Sequence, residues 1–131
     1  MTQEFIPYEQ ALKLKELGFD EPCIGKWLSN LQSNWKEYTL VLEMGKDNRN
    51  AYLLEGACSA PLYQQAFRWF REKYNLLGYV SQATISKDKV FMFTCNEGND
   101  TLVEDIDSDF KTYEEAELVC LKNLIEIVKN K

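Results

Sequence analysis

Two charged residues are hard to explain as simple scaffold. At 100° per residue, Glu117 projects between Tyr113, Cys120, Leu121 and Leu124, inside the apolar arc of a helix over 113–129. A carboxylate placed there must be paired, hydrogen-bonded or protonated, or it must line an opening. General acids and ligand-binding carboxylates arise in such surroundings. Lys73 is the mirror case, falling within the apolar arc of a second helix over 61–77. These positions predict that the two helices pack side by side and that Glu117 meets Lys73, Arg71 or a tyrosine hydroxyl. Tyr74 would join them in lining a pocket between the sheet and the helices. The bland outcome is that Lys73 carries its head to solvent along its aliphatic stem, and it is the commoner one.

Other chemistries are poorly supplied. The chain has no histidine, which removes most hydrolase designs built on a His base. Cys23, Cys58, Cys95 and Cys120 stand 35, 37 and 25 residues apart, without the paired short spacings of a thiolate zinc site. They read as buried free thiols. Cys58, shortly before Pro61, could be drawn towards thiolate by a helix N-terminus, but no partner base accompanies it. Asp105-Ile106-Asp107-Ser108-Asp109 opens like a calcium loop. Phe110 then replaces the required glycine and Ala116 the bidentate glutamate, so the stretch reads as a solvated acidic edge. The dispersed glycines form no phosphate-cradling loop. No cofactor and no metal is expected.

The elements that must position these residues follow from periodicity. Pro7 opens a first helix carrying Tyr8, Ala11, Leu14 and Leu17, and Gly18 closes it with Phe19 folded back on Leu14. Strands are predicted at Cys23–Leu28, within Trp35–Met44 and at Ala51–Glu55, with a turn-rich run from Gly45 to Asn50 between the last two. From Pro61, Leu62, Tyr63, Ala66, Phe67, Trp69, Phe70, Tyr74 and Leu77 fill an arc of about 160°, typical of a helix lying on a sheet, with Gly78 as its stop. The aromatic load could serve as a stacking platform, but large apolar side chains mostly lie inside, so a core face is the stronger reading. Tyr79–Lys87 and Val90–Cys95 form a hairpin around Lys87-Asp88-Lys89. The unbroken run Val90-Phe91-Met92-Phe93 predicts a strand covered on both faces or at a subunit contact. Leu102, Val103 and Ile106 suggest one short strand within the acidic stretch. Thr112 and Glu115 match a capping box for the final helix. The resulting class is α+β, a mixed or antiparallel sheet of about five strands with helices packed on it, in the order α-β-β-β-α-β-β-(β)-α.

A chain of 131 residues, 45% hydrophobic, makes one domain with a core of its own. The N-terminus lacks a signal-peptide pattern and no apolar run approaches about 20 residues, so a cytoplasmic protein is expected, away from membranes. Net charge is −6, and it is lopsided: residues 97–117 hold nine acids against Lys111 alone, leaving twelve acids to fourteen bases elsewhere. Nucleic-acid binding, through Arg68, Arg71 and Lys73 beside Trp69, is disfavoured by that balance. An acidic face for a basic partner fits it better.

Three blocks, Phe5–Ala11 with Leu17–Cys23, Ala60–Tyr74, and Tyr113–Lys129, resemble a family of short uncharacterised proteins of Bacteroides-type bacteria and their prophages and mobile elements. The matching blocks cover roughly half the chain and contain FIPYEQA, LGFDEPC, QAFRWFREKY and CLKNLIEIVK. The resemblance implies an accessory role in phage or mobile DNA, and no mechanism. The expectation is therefore a non-catalytic protein acting by contact with a host or phage protein, through region 97–110 or through Trp27, Trp35 and Tyr38. The alternative is a small-molecule-binding domain or minor enzyme using the pocket at Glu117. Oligomeric state is not set by these residues.

Overall fold

The first helix, α1 (Tyr8–Glu16), begins and ends where its sequence signals place it. In this computed structural model, which describes residues 2–29, 38–104 and 110–131, Pro7 occupies the N-cap. Gly18 (φ 95) takes the left-handed conformation after the last turn. The Phe19 N–H donates to the Leu14 carbonyl at 2.9 Å and the Gly18 N–H to the Lys15 carbonyl at 3.1 Å. This pair of bonds is a Schellman stop, and Phe19 and Leu14 are both buried.

The chain forms two compact units, Met1–Gln65 and Ala66–Lys131. In the first, β1 (Gly25–Ser29), β2 (Tyr38–Leu42) and β3 (Ala57–Ala60) make an antiparallel sheet in the order β2-β1-β3. Gly25 is opposite both Leu42 and Ala60 in the register. α1 packs on β3, where the Lys15 Nζ donates to the Ala57 carbonyl at 2.9 Å. The Ile6 N–H donates to the Pro61 carbonyl, so the N-terminal segment runs antiparallel along residues 61–62. The strand expected at Ala51–Glu55 lies a few residues later. Residues Asn50–Tyr52 are a 3₁₀ turn, and the strand is Ala-Cys-Ser-Ala, buried at all four positions. Small residues let neighbours approach both faces, and a search for large apolar alternation passes over such a strand.

In the second unit, β4 (Leu76–Ile85), β5 (Asp88–Glu97) and β6 (Asp100–Glu104) form an antiparallel sheet in the order β4-β5-β6. The central helix, α2 (Tyr63–Tyr74), starts at the end of the first unit and stops short of Gly78. Asn75 (φ 56) ends it, and Leu76 and Leu77 enter β4. Gly78 serves close packing instead. A Cβ there would lie 2.8 Å from Leu124 Cδ1 and 2.9 Å from Cys120 Sγ. α3 (Tyr113–Lys129) packs on β4 and β5 and is capped by Thr112, whose Oγ1 accepts the Glu115 N–H at 3.2 Å. The hairpin turns at Ser86–Lys87, both with positive φ, as a two-residue type I′ loop does. β5 is the central strand and is covered on both faces, since buried Phe93 and Cys95 alternate with buried Val90 and Thr94. Phe110 bridges back to Phe91 through two backbone bonds.

The fold is α+β; among the described residues, three α-helices and two three-stranded antiparallel sheets follow the expected element order. A single sheet of about five strands is expected from the sequence; the six strands among the described residues divide equally between two sheets.

Candidate functional site

Glu117 lies one turn into α3, on the face that carries the buried residues Ala116, Cys120, Leu121 and Leu124. It is half-buried, and burial first and Glu114 second push its carboxyl up to about 7. Tyr113, one turn earlier, packs edge-on against Phe91 with centroids 6.1 Å apart. Its phenol is raised by burial, then by Glu117, Cys120 and Glu114. The expected partners of Glu117 are elsewhere. Lys73 is exposed and holds its ammonium 5.2 Å from the Trp69 ring centroid and 5.6 Å from that of Tyr74. Arg71 is exposed, and Tyr74 is half-buried in ring contacts with Trp69 and Phe70. No ion pair joins Glu117 to Lys73 or Arg71 among the described residues. The correction has a physical cause: an ammonium near the C-terminal end of α2 gains from aromatic faces on its own helix without losing contact with water.

Beneath Glu117, Cys95 of β5 and Cys120 of α3 bring their sulfurs to 3.8 Å, both fully buried and both reduced. The Cys120 thiol is pushed up by its hydrogen-bonding contact with Cys95 first, then by burial. In the first unit, burial pushes the Cys23 thiol up to about 12 and that of Cys58 to about 11. Cys58 lies in β3 and its thiol stays protonated, as the plain-thiol reading expects. Among the described residues, no group of three or more His, Cys, Asp or Glu side chains is arranged to hold a metal ion. Asp105–Asp109 lie outside the described residues.

The first unit also holds a buried polar network that periodicity and motif spacing do not point to. Asn50 donates through Nδ2 to the Phe19 carbonyl at 2.7 Å and accepts the Ser59 N–H at 2.9 Å. Asn48 donates to the Cys23 carbonyl at 3.2 Å, and the Ser59 hydroxyl donates to the Asn48 carbonyl. Asp20 accepts the Ala51 N–H at 2.8 Å. These bonds pin the loop between β2 and β3 to the sheet. The signal for them was the pair of asparagines two residues apart, hidden in a run of turn formers. On the same loop Met44, Tyr52 and Leu54 are 83%, 65% and 85% exposed. Lys26 and Lys46 both bridge Glu43 at the start of the loop, and Asp47 pairs with Arg49.

The aromatic residues proposed for contact are engaged within their own unit. Trp27 Nε1 donates to the Ile6 carbonyl at 2.9 Å, and Tyr38 stacks on Tyr8 at 3.5 Å between centroids. Trp35 lies outside the described residues. No family model, no curated protein and no solved structure matches this chain.

Proposed function

We propose that the chain is a non-catalytic accessory protein that acts by binding another protein, in the phage or mobile-element setting its sequence resemblance implies. The observation that carries the proposal is the loop between β2 and β3. Three large apolar side chains, Met44, Tyr52 and Leu54, stand in solvent on a segment that buried Asn48 and Asn50 hold in place. Exposed apolar groups on a preorganised loop lose little conformational freedom on docking, and that is how scaffolds present binding residues. All four thiols are buried, which does not suit an exposed sulfur nucleophile. A cytoplasmic setting belongs to the same proposal; no helix among the described residues is long and apolar enough to cross a membrane.

The test is affinity capture from a bacterial host lysate with wild-type chain and with a Met44→Asp/Leu54→Asp variant. A protein enriched by the wild type and lost with the variant is the expected result. Identical capture profiles would remove the loop from the proposal.

A second reading rests on Glu117, whose raised carboxyl suits a ligand-facing acid in a small-molecule-binding domain. It predicts that a bound ligand shifts the Glu117 carboxyl resonance, and that Glu117→Gln abolishes the binding.

A further inference from the structure

We infer that the free edge of β4 pairs with the same edge of a second copy of this chain, about a two-fold axis normal to the sheet. The inference is independent of the loop between β2 and β3. The two edges of the β4-β5-β6 sheet differ sharply. Natural proteins protect sheet edges with charge, proline, bulges or short strands. β6 carries three of these safeguards: it has five residues, acids at both ends, and a register shift opposite Cys95 and Asn96. β4 carries none. Leu-Leu-Gly-Tyr-Val-Ser-Gln-Ala-Thr-Ile runs for ten residues without a charge or a proline, and its register with β5 is unbroken from Leu76 opposite Glu97 to Ile85 opposite Asp88.

The hairpin register shows which backbone groups face outward. A two-residue loop makes Ile85 and Asp88 a hydrogen-bonded pair, and such pairs alternate along the ladder. The Gly98 N–H donating to the Asn75 carbonyl continues the same alternation at the far end. The odd-numbered residues of β4 therefore bond to β5, and the even-numbered ones point away from it. Leu76 and Gly78 are buried, whereas Val80 is half-buried and Gln82 and Thr84 are exposed. The N–H and C=O groups of these last three bond to no backbone partner among the described residues.

An antiparallel match of this row to itself satisfies both copies at once. With the axis at Gln82, Val80 faces Thr84 of the second copy, Gln82 faces Gln82, and Thr84 faces Val80. All six residues are of the outward-pointing set, so each opposed pair exchanges both backbone bonds. Directly opposed residues also stay on the same face, as a continuous sheet requires. The result is an isologous interface.

Charge favours a second copy over a charged partner. β4 offers no charge for a charged strand to recognise, whereas α3 is polarised along its length. Its N-terminal half carries Glu114, Glu115 and Glu117, and its C-terminal half carries Lys122 and Lys129 with Glu126. α3 sits on β4 and β5, so the two-fold places the two copies of α3 on one face, antiparallel, with acidic ends beside basic ends. Two strand spacings separate them, roughly 10 Å, which matches the distance at which helices pack.

The experiment is sedimentation equilibrium of the full chain up to about 100 μM, with circular dichroism confirming the fold of each variant. The wild type is expected to dimerise. Gln82→Lys, which sets two ammonium groups face to face at the axis, should weaken dimerisation at least tenfold, on the order of 1.4 kcal/mol or more. Leu102→Lys on the protected β6 edge should leave it unchanged. Mixing Gln82→Lys with Gln82→Glu should restore a dimer containing one copy of each. A wild type that stays monomeric throughout, or a Gln82→Lys variant as dimeric as the wild type, overturns the inference.

Discussion

Strands β3 and β5 are both buried, and they are buried by opposite means. β3 has small side chains, and the Ser59 backbone and hydroxyl are engaged by Asn50 and Asn48 from the loop preceding the strand. β5 brings Phe93 and Cys95 into a core closed by the apolar face of α3, and buries Val90 and Thr94 on its other face. Apolar burial is non-directional and tolerates repacking, whereas a buried amide must find each of its partners. The first unit should therefore be the more sensitive to loss of single polar atoms, and the second to changes in volume.

Asn50→Ala would break that comparison most sharply. It removes the Asn50 bonds to the Phe19 carbonyl and the Ser59 N–H and leaves the Ser59 N–H stranded in the core, a loss of about 3 kcal/mol. Urea denaturation followed by hydrogen exchange should show α1 and β3 losing protection while β5 keeps it. Equal losses in both units would mean that the two share one cooperative transition. Gly78→Ala is the volume counterpart in the second unit. The new Cβ falls within 3 Å of buried Leu124 and Cys120, and overpacking of this kind costs about 2 kcal/mol. A thermal melt indistinguishable from wild type would show that α3 can lift away without penalty.

Glu117→Gln probes the charged flaw in the second core. The folded carboxyl lies at about 7 against 4.5 unfolded, so the native state binds the extra proton between those values. The stabilisation this provides is full below pH 4.5 and lost as pH rises through about 7. The variant should match wild type near pH 4 and exceed it above pH 7 by roughly 1 kcal/mol, discounted for the solvent that reaches a half-buried group. A pH-independent difference in melting temperature would rule this out. The smallest effect belongs to Thr112→Ala, which removes the acceptor for the Glu115 N–H and should cost roughly 0.5–1 kcal/mol in a denaturant titration. No measurable loss would show that this end of α3 is held by packing alone.

What could be read from the sequence tracks how local each determinant is. α1 and α3 were legible because their caps lie within a few residues of the turns they end, as with Gly18 and Thr112. The end of α2 was not, because Gly78 has the chemistry of a helix stop but is used against Cys120 and Leu124, more than forty residues away. β3 was missed for the same reason, since its burial depends on a loop and a helix that come from elsewhere in the chain. At the site, the periodicity of α3 was enough to show that Glu117 belongs among apolar neighbours. The position of Lys73 required knowing that Trp69 and Tyr74 would attract it first.

The distribution of sulfur has a use of its own. Cys23 and Cys58 lie in the first unit, Cys95 and Cys120 in the second, and all four are buried. A thiol reagent can reach them only when the surrounding structure opens, so the modification rate at each position is a clock for that opening. Resolved by mass, two native clocks in each unit time their fluctuations separately, and the chain needs no engineered label.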